Sequence, residues 1–129
     1  ALGGLIAINP ELLLLDEPTT GFDYSECMEM MEHIRAINRA GTTVVMVCHD
    51  MEVVLDFADR AVVMAQGGII ADGPVRDIFE QRDVLERASL LPPQICELSQ
   101  RLAPVYPQLA HIYEVDAMAD AVAALKEAL

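Results

Sequence analysis

The sequence predicts an α/β fold with parallel strands, extended on its C-terminal side by a β-hairpin and a set of helices. Three observations carry that expectation. Leu12 to Asp16 (LLLLD) and Thr42 to Cys48 (TTVVMVC) are short apolar runs of strand length, the second rich in β-branched residues, and both read as strands buried on two faces. Between them, Tyr24 to about Ala40 places Cys27, Met31 and Ile34 in one helical row with Met30 and Ile37 beside it. Further on, Gln66-Gly67-Gly68 supplies the positive φ that a tight hairpin turn demands. A strand, a helix and a strand joined by short loops form a right-handed βαβ unit.

Each element has local chemistry behind it. Ala1 to Ile8 is apolar and helix-compatible, and Asn9-Pro10 ends it, because the residue before proline is pushed out of the α region. Asp23 stands three residues before Glu26, a capping-box start for the long helix, and Gly41 stops it. Asp50 caps a short helix, Met51 to about Ala58, with Val54, Phe57 and Ala58 inward. Ala61–Ala65 and Ile69–Ala71 form the hairpin, and Asp72-Gly73-Pro74 closes it. Val75 to Leu90 is helical with a break around Gln81 to Asp83, and Pro92-Pro93 marks a boundary. Beyond it come a short helix, Gln94 to Leu102, a Tyr-containing linker, and a final alanine-rich helix capped by Asp116.

Composition narrows the function classes. At 129 residues and 53% hydrophobic content, the chain can build a core and is not disordered. Lys plus Arg number 8 against 21 Asp plus Glu, a formal net charge of -13, which disfavours nucleic acid as a partner. No apolar run approaches the roughly 20 residues that span a bilayer, and the start is not that of a signal peptide, so a soluble cytosolic chain is expected. Cys27, Cys48 and Cys96 lack C-x-x-C spacing and read as reduced core or near-core residues.

The chemistry concentrates where the strands end. Asp16 and Glu17 follow the leucine run directly, and adjacent residues of an extended segment point to opposite sides. That is the Walker B pattern of nucleotide hydrolases, in which one carboxylate holds hydrated Mg²⁺ and the next addresses the attacking water. Taken alone, it is equally a strand ending in two solvated acids. His49-Asp50 ends the second parallel strand, so these groups share the sheet rim where open α/β folds bind ligands. That shared rim favours a functional His49 over a structural one. His33 reads as a solvated helix residue, and His111 as structural or exposed. The methionines read as core filler.

In this order, ALGGLIAINPELLLLDEPTTGFD, GTTVVMVCHDMEVVLDFADRAVVMAQGGIIADGP and VRDIF resemble the second half of an ABC transporter ATPase, from Ala1 to about Phe79. The resemblance implies a partial P-loop NTPase core over residues 1–80 and a helical C-terminal extension over 81–129. It implies ATP and Mg²⁺ as cofactors. Asp16 coordinates the metal through water, and Glu17 is the catalytic carboxylate. His49 reaches the γ-phosphate, and Asp23 is the acid that communicates across an ATPase dimer. Phe22 stands where the family more often has Leu. The PPQICELSQRL segment and the length beyond it are similar to the extension of energy-coupling-factor importer ATPases, the cobalt, nickel and vitamin group. That resemblance implies a second ATPase subunit, a transmembrane transporter subunit and a place at the inner face of the cell membrane.

The departures matter as much. The sequence contains no G-x-x-x-x-G-K-[ST] loop and no LSGGQ-like signature, and Leu2-Gly3-Gly4 lacks the Lys, the Ser or Thr and the preceding strand of a phosphate loop. The expectation is therefore a fragment or split product that does not hydrolyse ATP unaided. Two other readings stand beside it: a non-enzymatic pairing module with vestigial acids, and an ABC-class DNA-repair ATPase, which the charge disfavours. Stabilisation by ATP after adding the missing half separates the first two. A missing phosphate-loop strand also leaves a gap in the sheet, so either Ala61–Ala65 moves beside Thr43–Cys48, or two chains pair through these edges.

Overall fold

The computed structural model describes Gly4 and residues 7–129. Contacts divide the chain into two compact units, residues 1–49 and 50–129. Of the expected first helix, Gly4, Ala7 and Ile8 are helical; the rest, with Leu2-Gly3, lies outside the described residues. Among those described, no helix is long and apolar enough to cross a membrane.

The first unit is the βαβ motif. Strand β1, Leu12–Asp16, and strand β2, Thr43–Val47, run parallel, with Leu13 opposite Val44 and Leu15 opposite Met46. Helix α1, Tyr24–Arg39, connects them. It begins in the capping box: the Asp23 carboxylate accepts from the Glu26 amide at 2.9 Å, and the Glu26 carboxylate accepts from the Asp23 amide at 3.0 Å. It buries Cys27, Met31 and Ile34 and packs against β2. Its end is tied down by Thr42, a buried residue whose hydroxyl donates to the Pro10 carbonyl at 2.9 Å while its own carbonyl accepts from Asn38.

The strands are not buried on both faces, as the leucine run suggests. Alternation sends Leu13, Leu15, Val44 and Met46 to one face, and Leu13 is 5% exposed there. The other face carries Leu12, Leu14, Val45 and Val47 at 52%, 69%, 50% and 59% exposure. Apolar runs of this kind need two covering layers, and among the described residues of this unit one is present.

The second unit is a hairpin wrapped by short helices. After α2, Met51–Phe57, strands β3, Arg60–Ala65, and β4, Gly68–Pro74, pair antiparallel through a two-residue turn, Gln66 at φ 52° and Gly67 at φ 78°. β4 runs on to Pro74, past the expected end at Ala71. β3 pairs only with β4, and β2 only with β1, among the described residues.

Helices α3, Val75–Phe79, and α4, Arg82–Arg87, flank the expected break, and α5, Gln94–Leu102, falls where the sequence places it. α5 starts after a proline that offers no side-chain cap, and the Glu52 carboxylate of α2 accepts from the Gln94 amide at 2.8 Å instead. A 3₁₀ turn at Pro107–Leu109 leads to α6, Val115–Ala128, whose N-cap is Glu114; Asp116 sits inside the first turn. One core runs from Leu55 through Val63, Phe79, Leu85 and Cys96 to Met118, continuous across residue 80. In α2 the fully buried side chains are Val53 and Leu55, while Val54, Phe57 and Ala58 are half-buried.

Candidate active site

The first unit brings Asp16, Glu17 and His49 to the carboxyl ends of its two parallel strands. The ladder extends one bond past β1, because the Glu17 amide donates to the Val47 carbonyl at 2.9 Å. That bond anchors Glu17 beside the end of β2, two residues before His49. Glu17 adopts φ 48°, a left-handed conformation that costs a non-glycine residue about 1–2 kcal/mol. Strain of this kind collects where a side chain must be aimed.

The aim is visible. His49 Nδ1 lies 2.6 Å from Glu17 Oε1, so the imidazole carries its proton on Nδ1 and donates to the carboxylate. Glu17 is 32% exposed and His49 76%, so the contact lies at an open rim. Sequence spacing places these residues on one rim; it does not announce the direct bond across 32 positions.

Asp16 ends β1 on the same face as Leu12 and Leu14, opposite Val47, and is exposed. Among the described residues, no group of three His, Cys, Asp or Glu gathers to hold a metal. A Mg²⁺ ion needs no such cage, since it keeps waters and takes one or two carboxylates beside substrate phosphates. The donor set here fits that limited role: Asp16 is available as one acidic ligand, and Glu17 is engaged with His49. Asp23 is not part of this cluster; it caps α1 through one carboxylate oxygen.

His111 has a carboxylate partner that spacing could not reveal. Glu80 Oε1 lies 3.2 Å from its Nδ1 and accepts from the Tyr113 hydroxyl at 2.5 Å. Arg76 stacks 5.0 Å from the Tyr113 ring centroid. Burial, and then this bond to Glu80, push the Tyr113 hydroxyl well above its ordinary range.

No family model matches the chain. Curated relatives do. An ABC transporter ATP-binding protein of Methanosarcina mazei is 43% identical over 93 residues, 72% of this chain and 16% of the relative. One from Caldanaerobacter subterraneus subsp. tengcongensis is 41% identical over 106 residues, 82% of this chain and 19% of the relative. One from Streptococcus mutans is 38% identical over 112 residues, 87% and 20% respectively. The chain thus spans no more than a fifth of the length of these relatives.

Solved structures share the fold. CbiO1 from Clostridium perfringens, described as part of the ABC transporter complex cbiONQ, superposes with a TM-score of 0.57 at 24% identity, over 85% of this chain and 39% of that one. The ADP conformation of MJ1267, an ATP-binding cassette of an ABC transporter, gives 0.59 at 26% identity, over 66% and 35%. By sequence and by fold, the chain belongs to the ABC transporter ATP-binding proteins, as a C-terminal segment of their ATPase.

Proposed function

We propose that this chain supplies the water-activating carboxylate and its histidine to an ATPase that couples ATP hydrolysis to import of a metal ion or vitamin. The observation that carries the reading is the 2.6 Å bond between Glu17 and His49 at the ends of two parallel strands. A carboxylate held there accepts a hydrogen bond from water and draws off its proton as the water attacks. His49 holds Glu17 in place through Nδ1, and when its ring is protonated on both nitrogens Nε2 donates to phosphate oxygen as negative charge shifts during transfer. Asp16 is the residue that holds Mg²⁺, and the metal, when bound, neutralises phosphate charge. Asp23, through the carboxylate oxygen not used for capping, faces the second ATPase subunit.

The phosphate cradle and signature belong to sequence that this chain does not contain, so activity is a property of the longer protein. The importer reading rests on the resemblance of the extension from Pro92. It implies a paired ATPase, a transmembrane subunit and an inner-membrane-face location, with no nucleic acid partner. In the longer protein, Glu17→Gln is expected to lower turnover by about 10²- to 10⁴-fold while ATP affinity persists, because the cradle is untouched. Turnover near that of the wild type removes Glu17 from the mechanism.

A further inference from the structure

An open cleft of about 520 Å³ lies within the second unit, lined by Arg82 of α4, Gln100 and Arg101 of α5, and His111 of the loop before α6. That volume is in the range of small-molecule sites. Basic residues are scarce in this chain, 8 Lys plus Arg and 3 His against 21 acids. Two arginines and a histidine on one cleft therefore run against the composition.

The polar groups are held in place. Arg82 Nε donates to Gln100 Oε1 at 2.9 Å, and Gln100 Nε2 donates to the Phe79 carbonyl at 3.0 Å. This relay fixes the amide orientation and grips the guanidinium by its Nε edge, which leaves the terminal amino groups as donors for another acceptor. Among the described residues Arg82 makes no ion pair. Arg101 meets Glu97 at 2.6 Å one helical turn away, with its side chain 71% exposed, and exposed pairs of this type exchange readily for another oxyanion.

The remaining lining sorts cleanly. Ser99 is committed elsewhere, its hydroxyl donating to the Leu109 carbonyl at 2.7 Å and accepting from the Ile112 amide. Glu80 Oε1 already serves Tyr113 and His111. Ala103, Pro104 and Ala110 give the cleft apolar walls.

We infer that this cleft binds a small oxyanion on a short apolar body, a phosphate monoester or a carboxylate, held by Arg82 and Arg101. The net charge of -13 repels anions at long range, and that field is screened beyond about 8–10 Å in physiological salt. Affinity must then come from short, charge-assisted hydrogen bonds at the cleft itself. The inference does not depend on Asp16, Glu17 or His49.

The test is an amide NMR titration of the full 129-residue chain with inorganic phosphate, glycerol 3-phosphate and succinate, each against sodium chloride at matched ionic strength. Saturable shifts are expected around Phe79–Arg82, Ser99–Pro104 and Ala110–Ile112. Arg82→Gln is expected to weaken binding about tenfold and Arg101→Gln less, with melting curves recorded for both. Arg101→Gln leaves the Gln100 relay intact, so it reports on binding even if Arg82→Gln loosens the fold. Glu97→Gln, which removes the competing acid, is expected to tighten binding. Preference for the phosphates or for succinate identifies the head group, and tighter binding of glycerol 3-phosphate than of phosphate supports the apolar walls. Shifts no larger than those with chloride, or spread over all Arg and Lys, overturn the site. So does binding indifferent to both arginine substitutions.

Discussion

The two units use the same kinds of elements and close in opposite ways. In the second, Phe79, Cys96 and Leu109 are each 1% exposed, and hairpin, helices and extension share one core. In the first, four large side chains of the β1–β2 pair stand half or more exposed on one face. Burying a Val or Leu side chain stabilises a fold by about 1.5–3 kcal/mol, so that open face withholds a large stabilisation until something covers it. The difference sets a unit that carries Asp16, Glu17 and His49 beside an open apolar face against a unit whose apolar side chains close on one another.

The largest expected effect breaks the closed unit. Phe79→Ala should destabilise it by about 3–5 kcal/mol, the cost of an aromatic cavity in a tight core, as read from urea denaturation. Leu14→Ala on the open face should change stability by no more than about 0.5 kcal/mol. Equal costs would mean that the open face is covered in solution, and the comparison would fail.

The next effect concerns chemistry rather than folding. In the longer ATPase, His49→Ala should lower hydrolysis by about 10²-fold, the scale of losing one preorganised donor, with ATP affinity little changed. Parallel losses of affinity and turnover would assign His49 to folding or ground-state binding instead.

A smaller effect tests the cover itself. An open apolar strand pair invites a second chain. Leu14→Lys combined with Val45→Lys should lower self-association measured by sedimentation, since charge on the face opposes pairing. Unchanged association would place the contact elsewhere.

Much of this was legible in residue types. The capping box at Asp23, the turn at Gln66-Gly67 and the helix over Gln94–Leu102 follow from local rules that act within a few residues. The rim shared by Asp16, Glu17 and His49 followed from counting parallel strands. What spacing could not show depends on partners far apart in sequence. The Glu17–His49 bond and the Glu80 contacts to His111 and Tyr113 each join residues more than 30 positions apart. The exposed face of β1 misled for another reason: Leu12 to Leu15 records the layers of a complete domain, and a segment of that domain keeps the residues without the layers. Asp116 looked like a cap because Asp is a strong N-cap residue and Glu is not, yet the extended residue before the helix is Glu114.

The smallest effect distinguishes the units by their thiols. Burial, and then the nearby carboxylates of Glu80 and Glu52, push the Cys96 thiol from its ordinary 9.0 up to about 11. The unfolded chain ionises this thiol first as pH rises, so it binds fewer protons than the folded chain between those values. The stability that the neutral, buried thiol contributes is therefore complete below about pH 9 and is lost as pH climbs toward 11. Tyr113 adds to the same trend at still higher pH, because its hydroxyl is raised as well. Melting temperature followed from pH 8.5 to 10.5 should fall, and Cys96→Ala should flatten that slope whatever it does to stability at neutral pH. A slope unchanged by the substitution would assign the alkaline loss to another group. The same closure should protect Cys96 from a neutral thiol reagent, so that half-buried Cys48 of the first unit is modified before it.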